Sequence, residues 1–355
     1  VYSWGKNKYG QLGLGHTNNV PLPTGILSLS DPLNRKNVRS IGAGKSHSAV
    51  IAEDGDVYTW GRGWEGQLGH DVVTEIELEP HIVPKMENRG SSAVACGRNH
   101  TVVVTDNGLI YTWGENKAGQ LGTGDLKSSN SPVLIDSALN LPSVLSIACG
   151  EFHTVAICIE GTIWSWGRNQ CGQLGHGNTK TCYFPTQVVG MAKKICIRAA
   201  CGGQHTLVLT DANKIYAWGS NAYGQLGLNR SDKAVLQPDI VDHLRRSGAC
   251  HVLCGYSHSM ALMKNEQIYT WGRNDCGQLG LGHYTHSPVP ELVTALRSVR
   301  VQQIACGYDH CVAFVADEVE PGMPPLEHVY SWGRGEEGQL GHNELLSRCT
   351  PRIVE

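Results

Sequence analysis

Residues 96–122 read CGRNHTVVVTDNGLIYTWGENKAGQLG, and this stretch decides the fold. Two runs rich in β-branched and aromatic residues, 100–105 and 109–113, flank an Asp-Asn-Gly turn, which is typical of a β-hairpin. Shorter runs of the same kind lie on either side, at 92–96 and 132–135. We therefore expect this part of the chain to form a four-stranded antiparallel sheet.

The same signature recurs along the whole chain. Gly-Gln-Leu-Gly occurs seven times, 52–61 residues apart, and a Trp-Gly pair stands six residues before every copy. The tetrapeptides begin at Gly10, Gly66, Gly119, Gly172, Gly224, Gly277 and Gly338. The tryptophans are Trp4, Trp60, Trp113, Trp166, Trp218, Trp271 and Trp332. A Gly-x-x-His motif lies 13 residues before five of the Trp-Gly pairs and 22 residues before a sixth, with the histidines His47, His100, His153, His205, His258 and His310.

Four-stranded repeats of this length cannot each bury both faces alone, so they are expected to stack radially. We predict an all-β, seven-bladed β-propeller of four-stranded antiparallel blades, a single domain over residues 1–355, with an open solenoid as the alternative. The repeats lie near residues 1–37, 38–90, 91–143, 144–195, 196–248, 249–299 and 300–355. Because the chain starts on a third strand, one blade is predicted to be incomplete, and we expect native sequence to precede Val1 or to follow Glu355.

The constant residues of the repeat are interpreted as structural. Glycine is the residue that adopts left-handed backbone conformations without a steric penalty and lets a neighbouring blade approach closely. The Trp-Gly tryptophans end a strand at the same place in every repeat, which favours packing between sheets over ligand stacking. The repeated histidines are interpreted as hydrogen-bonding groups that fix a turn, and no metal ion or cofactor is expected.

The motif Cys-Gly-x-x-His-Thr followed by Tyr-x-Trp-Gly-x-Asn-x-x-Gly-Gln-Leu-Gly, seen from Cys96 to Gly122, resembles the repeat of the regulator of chromosome condensation family. The resemblance covers essentially the whole chain. It implies a seven-bladed propeller and a range of functions: exchange factors for small GTPases such as Ran, chromatin-associated propellers, ultraviolet photoreceptors, and modules of ubiquitin ligases, kinases or ciliary scaffolds. Fold does not select among these.

Composition narrows the partners. The formal net charge of -3 and the pI of about 6.6 give no overall attraction to nucleic acid, so direct nucleic-acid binding is not expected. No apolar run is long enough to cross a bilayer, so no membrane insertion is expected. The 13 cysteines are an odd number without a Cys-x-x-Cys pair, which favours reduced thiols in the cytoplasm or the nucleus.

Partner recognition is expected in the variable loop positions, because the Gly-x-x-His and Trp-Gly loops lie at the same end of an antiparallel sheet. Five of the seven residues that follow Trp-Gly are cations. Four of them are arginines, namely Arg62, Arg168, Arg273 and Arg334. Arginine pairs bidentately with carboxylates, which predicts a protein partner with an acidic surface. The alternative is a solvated loop position that merely favours long polar side chains.

Trp64 is the best single candidate for a binding hot spot, because it lies in a face loop outside the Trp-Gly series. The Gly-x-x-His loops add the candidates Arg98, Tyr256, Tyr308 and Asp309, beside Phe152. Their aromatic rings are expected either to contact a partner or to pack against neighbouring blades. The carboxylates Glu65, Asp275, Glu336 and Glu337 are expected to neutralise part of the basic ring.

The last repeat carries about nine extra residues between His310 and Trp332, roughly Asp317 to His328. This insertion contains Pro321, Pro324, Pro325, Glu318, Glu320 and Glu327. Prolines and acids favour an exposed, unpacked loop over a packed element. The insertion is interpreted either as a second docking site or as a loop without a binding role.

No phosphate loop, nucleophile elbow, metalloprotease motif or carboxylate pair occurs, so no enzyme is expected. The main hypothesis is a non-catalytic protein-interaction module of a longer regulatory protein. The alternative is a guanine nucleotide exchange factor for a Ran-like small GTPase, with association with chromatin as one option. The exchange-factor resemblance predicts an inserted wedge, but each Gly-Gln-Leu-Gly lies only 33–37 residues before the next histidine. The photoreceptor function is not expected, because the Gly-x-x-His loops lack tryptophan.

Overall fold

A computed structural model describes residues 1–29, 37–135, 141–244, 248–317 and 326–354. These residues form 26 β-strands and five single-turn 3₁₀ helices. The 3₁₀ helices each follow the last strand of a sheet and span Leu27–Leu29, Pro84–Met86, Val189–Met191, Asp242–Leu244 and Thr294–Leu296. No helix in these ranges has the length and apolar character needed to cross a bilayer.

The strands form seven separate antiparallel sheets, numbered here in chain order. Sheet 1 has two strands, β1 (Tyr2–Gly5) and β2 (Val20–Gly25). Sheet 2 contains β3 (Val38–Ala43), β4 (His47–Ala52), β5 (Val57–Arg62) and β6 (Ile76–Ile82). Sheet 3 contains β7 (Ser91–Cys96), β8 (His100–Thr105), β9 (Ile110–Gly114) and β10 (Ser129–Leu134). Sheet 4 contains β11 (Val144–Cys149), β12 (His153–Cys158), β13 (Ile163–Gly167) and β14 (Cys182–Gln187).

The remaining three sheets repeat the same order of strands. Sheet 5 contains β15 (Cys196–Cys201), β16 (His205–Thr210), β17 (Ile215–Ser220) and β18 (Ala234–Ile240). Sheet 6 contains β19 (Ala249–Cys254), β20 (His258–Met263), β21 (Ile268–Gly272) and β22 (Ser287–Leu292). Sheet 7 contains β23 (Val301–Cys306), β24 (His310–Asp317), β25 (Leu326–Gly333) and β26 (Arg348–Ile353). Every strand pairs with the next along the chain, so each sheet is a simple meander.

The predicted all-β propeller of four-stranded antiparallel blades is confirmed, with small shifts at the strand ends. The described residues form six such blades and the two-stranded sheet 1, so the count of seven blades stays a prediction. The prediction of an unpacked loop from Asp317 to His328 is wrong at both ends of this range, because Asp317 ends β24, residues 326–328 begin β25, and the two strands pair there. Residues 318–325 of the insertion, with all three prolines, lie outside the described residues.

The sheets belong to two compact units. Unit 1 comprises Val1–Gln170 and Asn178–Ile195, and unit 2 comprises Cys171–Gly177 and Cys196–Glu355. Within unit 1, the first strand of sheet 3 lies beside the first strands of sheets 2 and 4. Within unit 2, the first strand of sheet 6 lies beside those of sheets 5 and 7. The apolar core of each unit therefore lies between successive sheets.

Six of the seven repeated tryptophans lie in these cores, as the sequence predicts, whereas Trp4 is only partly buried. Trp113, Trp166, Trp218, Trp271 and Trp332 have no exposed surface, and Trp60 is almost fully buried. Each indole Nε1–H donates a hydrogen bond to the backbone carbonyl of a Gly-Gln-Leu-Gly glutamine about 50 residues earlier in the chain. The six acceptors are Gln11, Gln67, Gln120, Gln173, Gln225 and Gln278, at 2.9–3.1 Å. The burial of the ring thus leaves no indole donor without an acceptor.

The same glutamine carbonyl accepts a second hydrogen bond, from the side chain that follows the repeated histidine. Thr101 Oγ1 donates to the Gln67 carbonyl at 2.9 Å, beside the bond from Trp113 Nε1. The equivalent donors are Ser48, Thr154, Thr206, Ser259 and Cys311. We call the shared carbonyl with its two donors the glutamine clamp. One clamp joins each of the first six Gly-Gln-Leu-Gly loops to the sheet that follows it.

The repeated histidines are buried and bonded across successive sheets. His47 Nε2 lies 3.0 Å from Thr101 Oγ1, and His100 Nε2 lies 3.2 Å from Thr154 Oγ1. Burial lowers the pKa of His47 to about 4 and the pKa of His100 and His153 to about 3. Burial likewise lowers the pKa of His310 to about 4. These imidazoles are therefore neutral at physiological pH.

Glycine substitutions in one loop of unit 2 test the clamp. Gly280 (φ +70°) has Trp332 Nε1 2.7 Å from the position of an added Cβ, whereas Gly282 (φ +82°) has its nearest atom at 3.9 Å. Gly282→Ala should therefore lower the free energy of unfolding by only about 1–2 kcal/mol, which is the cost of a left-handed backbone conformation for alanine. Gly280→Ala should cost about 1–3 kcal/mol more, because the methyl group displaces the Trp332 ring. Urea denaturation measures both, and equal losses would show that the close approach contributes nothing.

Acid should destabilise the fold before the carboxylates titrate. The unfolded histidines bind protons near pH 6.5, whereas the buried histidines bind them only near pH 3–4. Between these limits the unfolded state holds more protons, so stability is lost as the pH falls. Each of the four histidines should lower the free energy of unfolding by about 2 kcal/mol at pH 5. Urea midpoints at pH 7.5, 6 and 5 measure the loss, and a constant midpoint would contradict the neutral burial of the histidines.

Candidate partner-binding loops

Two sets of loops lie at the same end of each four-stranded sheet. The Gly-x-x-His turn joins the first two strands and the Trp-Gly loop joins the last two. The backbone N–H after Trp-Gly donates to the carbonyl of the residue before the histidine, as in Arg62 to Ser46 and Arg334 to Asp309, both at 2.8 Å. The structure therefore holds the two loops of a sheet in direct contact.

Buried amides keep the Trp-Gly loops rigid. Asn116 has no exposed surface, and its Oδ1 accepts a hydrogen bond from the Leu121 backbone N–H at 3.0 Å. Its Nδ2 donates to the Asp125 carbonyl at 3.0 Å, which ties the two ends of the loop together. The equivalent asparagines Asn7, Asn221 and Asn274 accept the same backbone bond. Variable side chains on the loops that contain this asparagine are thus presented from a fixed backbone, whereas the loops of Trp64 and Arg334 have Gly63 and Gly335 at this position.

In unit 1, Trp64 forms a cluster with Tyr9 and Arg62. The Trp64 side chain is 48% exposed, although tryptophan is among the largest apolar side chains of the chain. The Arg62 guanidinium carbon lies 4.5 Å from the centre of the Trp64 ring, and the Tyr9 ring meets Trp64 edge-on at 5.8 Å. Glu65 forms an ion pair with Arg62 at 3.1 Å. We call these four residues the Trp64 cluster.

Arg168 and Arg98 both lie close to one aromatic ring in unit 1. The guanidinium carbon of Arg168 is 3.9 Å from the centre of the Phe152 ring, and that of Arg98 is 5.3 Å from it. Arg98 also forms an ion pair with the largely buried Glu151. Within the described ranges, no carboxylate lies within ion-pair distance of Arg168, so its charge is balanced only by the aromatic face.

In unit 2, Arg273 lies between carboxylates. Its Nε donates to Asp275 at 2.6 Å, and its Nη1 lies 3.7 Å from Asp309, whose side chain is buried. Tyr223 lies 5.4 Å beneath the guanidinium, so a tyrosine from the preceding loop supports the arginine as Tyr9 supports Arg62. Asp309 is therefore positioned to orient Arg273 rather than to contact a partner.

The remaining predicted site residues of unit 2 are Tyr256, Tyr308 and Arg334, which each contact a neighbouring side chain. Tyr256 and Tyr308 are stacked, with ring centres 4.1 Å apart and an angle of 14° between the planes. Tyr308 is half-exposed, and any Cβ at position 203 would lie 2.6 Å from the Tyr256 ring, which explains Gly203. Arg334 donates to Glu336 at 2.8 Å.

The predicted basic ring is therefore largely neutralised within the chain. Arg62, Arg273 and Arg334 each form an ion pair with a carboxylate of the same loop, Glu65, Asp275 and Glu336 respectively. These three carboxylates are among those that the sequence predicts as neutralising groups. What the loops present is thus a series of arginine and aromatic planes rather than a strong positive potential.

The sequence analysis missed the residues that support the arginines. Tyr9 and Tyr223 stand directly before Gly-Gln-Leu-Gly, at a position that is otherwise Glu65, Ala118, Cys171, Cys276 and Glu337. This variability next to a constant tetrapeptide was the available signal. The role of Glu151 was not predicted, because its partner Arg98 belongs to the preceding repeat and the pairing leaves no local pattern in the sequence.

Comparisons with known proteins agree with this geometry. The chain is 34% identical over 322 residues to the E3 ubiquitin-protein ligase HERC2 of Mus musculus, a match that covers 90% of this chain and 7% of the ligase. It is 31% identical over 356 residues to the ultraviolet-B receptor UVR8 of Arabidopsis thaliana, covering 100% of this chain and 77% of the receptor. The crystal structure of Prp20p from Saccharomyces cerevisiae is similar with a TM-score of 0.84 at 23% identity, covering 100% of this chain and 85% of that one.

A family profile matches the whole chain. The profile described as the RCC1-like domain matches residues 1–355, which include every Trp-Gly pair and every Gly-Gln-Leu-Gly loop discussed above. Since the profile, the two curated relatives and the sheet architecture coincide over the same residues, the chain belongs to the RCC1-like domain family.

Proposed function

We propose that the chain is a non-catalytic protein-binding module of a longer regulatory protein and that it binds partners through the Gly-x-x-His and Trp-Gly loops. The observation that carries the proposal is Trp64, a half-exposed tryptophan that contacts Arg62 and Tyr9 at a Trp-Gly loop. Tryptophan, tyrosine and arginine are the residues most enriched at the centres of protein interfaces. An immobile aromatic ring loses little conformational entropy on binding.

The partner we propose is a protein that combines an apolar group with an acidic surface. The apolar group contacts Trp64, and a carboxylate contacts Arg168, which is stacked on Phe152. A carboxylate of the partner also competes with Glu65 or Glu336 for an arginine that is already oriented. The similarity to a small part of a ubiquitin ligase supports a module within a larger protein.

Two structural expectations belong to this proposal. We propose that sheet 1 is a seventh blade, because Trp4 and the loop from Gly10 repeat the signature of the six complete blades. We also propose a cytoplasmic or nuclear location, because all 13 cysteines are thiols. An experimental structure with six or eight blades would contradict the first expectation.

Nucleotide exchange on a small GTPase is the second candidate function. Its support is the structural similarity to Prp20p, whose structure was reported with its binding to Gsp1p and histones. At 23% identity, this similarity supports the fold but does not assign an exchange role to any residue of this chain. Against it stands the short, even spacing between the loops of successive repeats, which contains no wedge-like insertion.

Trp64→Ala should weaken partner binding with little effect on folding. Truncation of a central interface tryptophan costs about 2 kcal/mol or more in binding free energy. The melting temperature should change little, because the ring is 48% exposed. Phe184→Ala is the matched control, since Phe184 on the outer strand β14 is 46% exposed and lies outside these loops.

Immobilised wild-type chain and both variants, incubated with one cell lysate, would be compared by quantitative mass spectrometry. We expect proteins that are captured by the wild type and by Phe184→Ala but lost with Trp64→Ala. Capture that is unchanged in Trp64→Ala would remove the Trp64 cluster from the binding site. A large fall in its melting temperature would instead assign Trp64 a structural role.

The exchange hypothesis has its own test. Release of a fluorescent GDP analogue from purified Ran should be no faster with an equimolar amount of this chain than without it, because the short segments between successive repeats contain no wedge-like insertion to displace the nucleotide. A known Ran exchange factor is the positive control in the same assay. Acceleration by orders of magnitude would replace the interaction hypothesis with the second candidate.

A further inference from the structure

One clamp of unit 2 contains three metal-ligating side chains. Cys306 ends β23, Cys311 lies directly opposite it on β24, and His258 begins β20 of the preceding sheet. His258 Nε2 lies 3.1 Å from Cys311 Sγ, and the two sulfur atoms are 3.9 Å apart. All three potential ligand atoms lie within 4.8 Å of one another. His258 and Cys311 have no exposed surface, and Cys306 is half-buried.

The other repeats show that this grouping is a local departure from the common pattern. The residue after the repeated histidine is a hydroxyl residue in five repeats and a thiol only at Cys311. The five hydroxyl residues are Ser48, Thr101, Thr154, Thr206 and Ser259. A cysteine at the position of Cys306 is common, since Cys96, Cys149, Cys201 and Cys254 share it. Two thiols and an imidazole therefore come together only where Cys311 replaces the hydroxyl group.

The replacement weakens the clamp that it belongs to. Cys311 Sγ lies 3.3 Å from the Gln278 carbonyl and Trp332 Nε1 lies 3.1 Å from it, whereas the other five clamps have donors at 2.7–3.0 Å. A thiol is also a weaker hydrogen-bond donor than a hydroxyl group. Hydrogen bonding alone thus gives no reason for a cysteine here.

Metal coordination gives such a reason. We propose that His258 Nε2, Cys306 Sγ and Cys311 Sγ bind one thiophilic d¹⁰ cation, Cu⁺ or Zn²⁺. With metal–sulfur bonds of about 2.3 Å and metal–nitrogen bonds of about 2.0–2.1 Å, ligand atoms on one ion lie about 3.5–4.0 Å apart. The two sulfur atoms already have this separation, whereas the 3.1 Å between His258 Nε2 and Cys311 Sγ must lengthen by about half an ångström. The His258 and Cys306 ligand atoms lie within 4.8 Å of each other.

The donor set and the burial select this class of ion. Thiolates and a neutral imidazole are soft or borderline ligands, which favour Cu⁺ and Zn²⁺ over Mg²⁺ or Ca²⁺. Cu⁺ is satisfied by three such ligands, whereas Zn²⁺ needs a fourth, which a water molecule would supply from the half-buried side at Cys306. The proposal departs from the expectation of no metal at this one position, because His47, His100 and His205 face hydroxyl groups in place of thiols.

The ion would join β20 of sheet 6 to β23 and β24 of sheet 7, across the clamp with the longest hydrogen bonds. It would bind the folded chain and not the unfolded one in this geometry, so binding should raise stability. The site requires reduced thiols, because a disulfide between the directly opposed Cys306 and Cys311 would remove both sulfur ligands.

The test uses the reduced, chelator-treated 355-residue chain and the variant Cys311→Thr. Threonine is the residue of three other repeats at this position, so the variant should fold and regain the common clamp. Zn²⁺ and, without oxygen, Cu⁺ are titrated separately in competition with a chromophoric chelator. We expect wild type to bind one equivalent more than Cys311→Thr of at least one of the two ions, and that ion to raise the melting temperature of wild type alone.

Controls separate this site from the other thiols. Cys201→Ala removes a cysteine at the same repeat position as Cys306 but opposite Thr206, and it should bind the ion as wild type does. Cys306→Ser serves as the second loss variant if Cys311→Thr does not fold. X-ray absorption of the loaded wild type should show two sulfur ligands and one imidazole.

Two results would overturn the proposal. The first is an equal number of bound ions in wild type, Cys311→Thr and Cys306→Ser. The second is a Cys306–Cys311 disulfide in the isolated protein together with no extra ion bound after reduction, which would make the pair a redox site in place of a metal site.

Discussion

The structure depends on one carbonyl oxygen per repeat, that of the glutamine in Gly-Gln-Leu-Gly. It accepts two hydrogen bonds from the next sheet, one from an indole N–H and one from a hydroxyl or thiol group, and so uses both of its lone pairs. Each bond contributes about 0.5–1.5 kcal/mol, whereas a buried donor that loses its acceptor costs about 1–3 kcal/mol. The fold thus has more to lose from a broken clamp than it gains from a formed one. This asymmetry explains why the repeat tolerates so little variation at the clamp.

The clamp also explains why the loops can vary elsewhere. A loop fixed by its glutamine carbonyl and the ring of the next tryptophan, and in five repeats also by a buried asparagine, keeps its backbone whatever side chain stands beside it. Positions such as 9, 64 and 168 are therefore free to carry partner-specific residues. Sequence variation accumulates there without a cost in stability, which is the usual relation between a rigid scaffold and its binding loops.

The sequence predicted the sheets, the burial of the tryptophans and the shared end of the two loop sets, because all three follow from a strictly repeated spacing. The support of Arg62 by Tyr9 and of Arg273 by Tyr223 was not predicted, since each contact joins residues of different repeats. The buried position of Asp309 was not predicted either, because the residue before the histidine reads as a loop residue in every repeat. The repeat pattern identifies the structural residues that all repeats share. The candidate site consists of loop residues that differ from repeat to repeat, so the pattern does not identify their contacts.

The internal pairing of the arginines decides how such loops recognise a partner. With a net charge of -3 and most loop arginines already paired, the chain exerts little long-range attraction on an acidic protein. Association is then not accelerated by electrostatic steering, and discrimination must come from contacts at short range. A guanidinium that is held flat against an aromatic ring has lost its conformational freedom before binding, so a well-placed carboxylate gains a bidentate contact at little entropic cost. In the proposed interaction, selectivity therefore rests on the shape and spacing of these aromatic and guanidinium planes. Trp64 is 48% exposed and forms no ion pair, so it is available for such a contact.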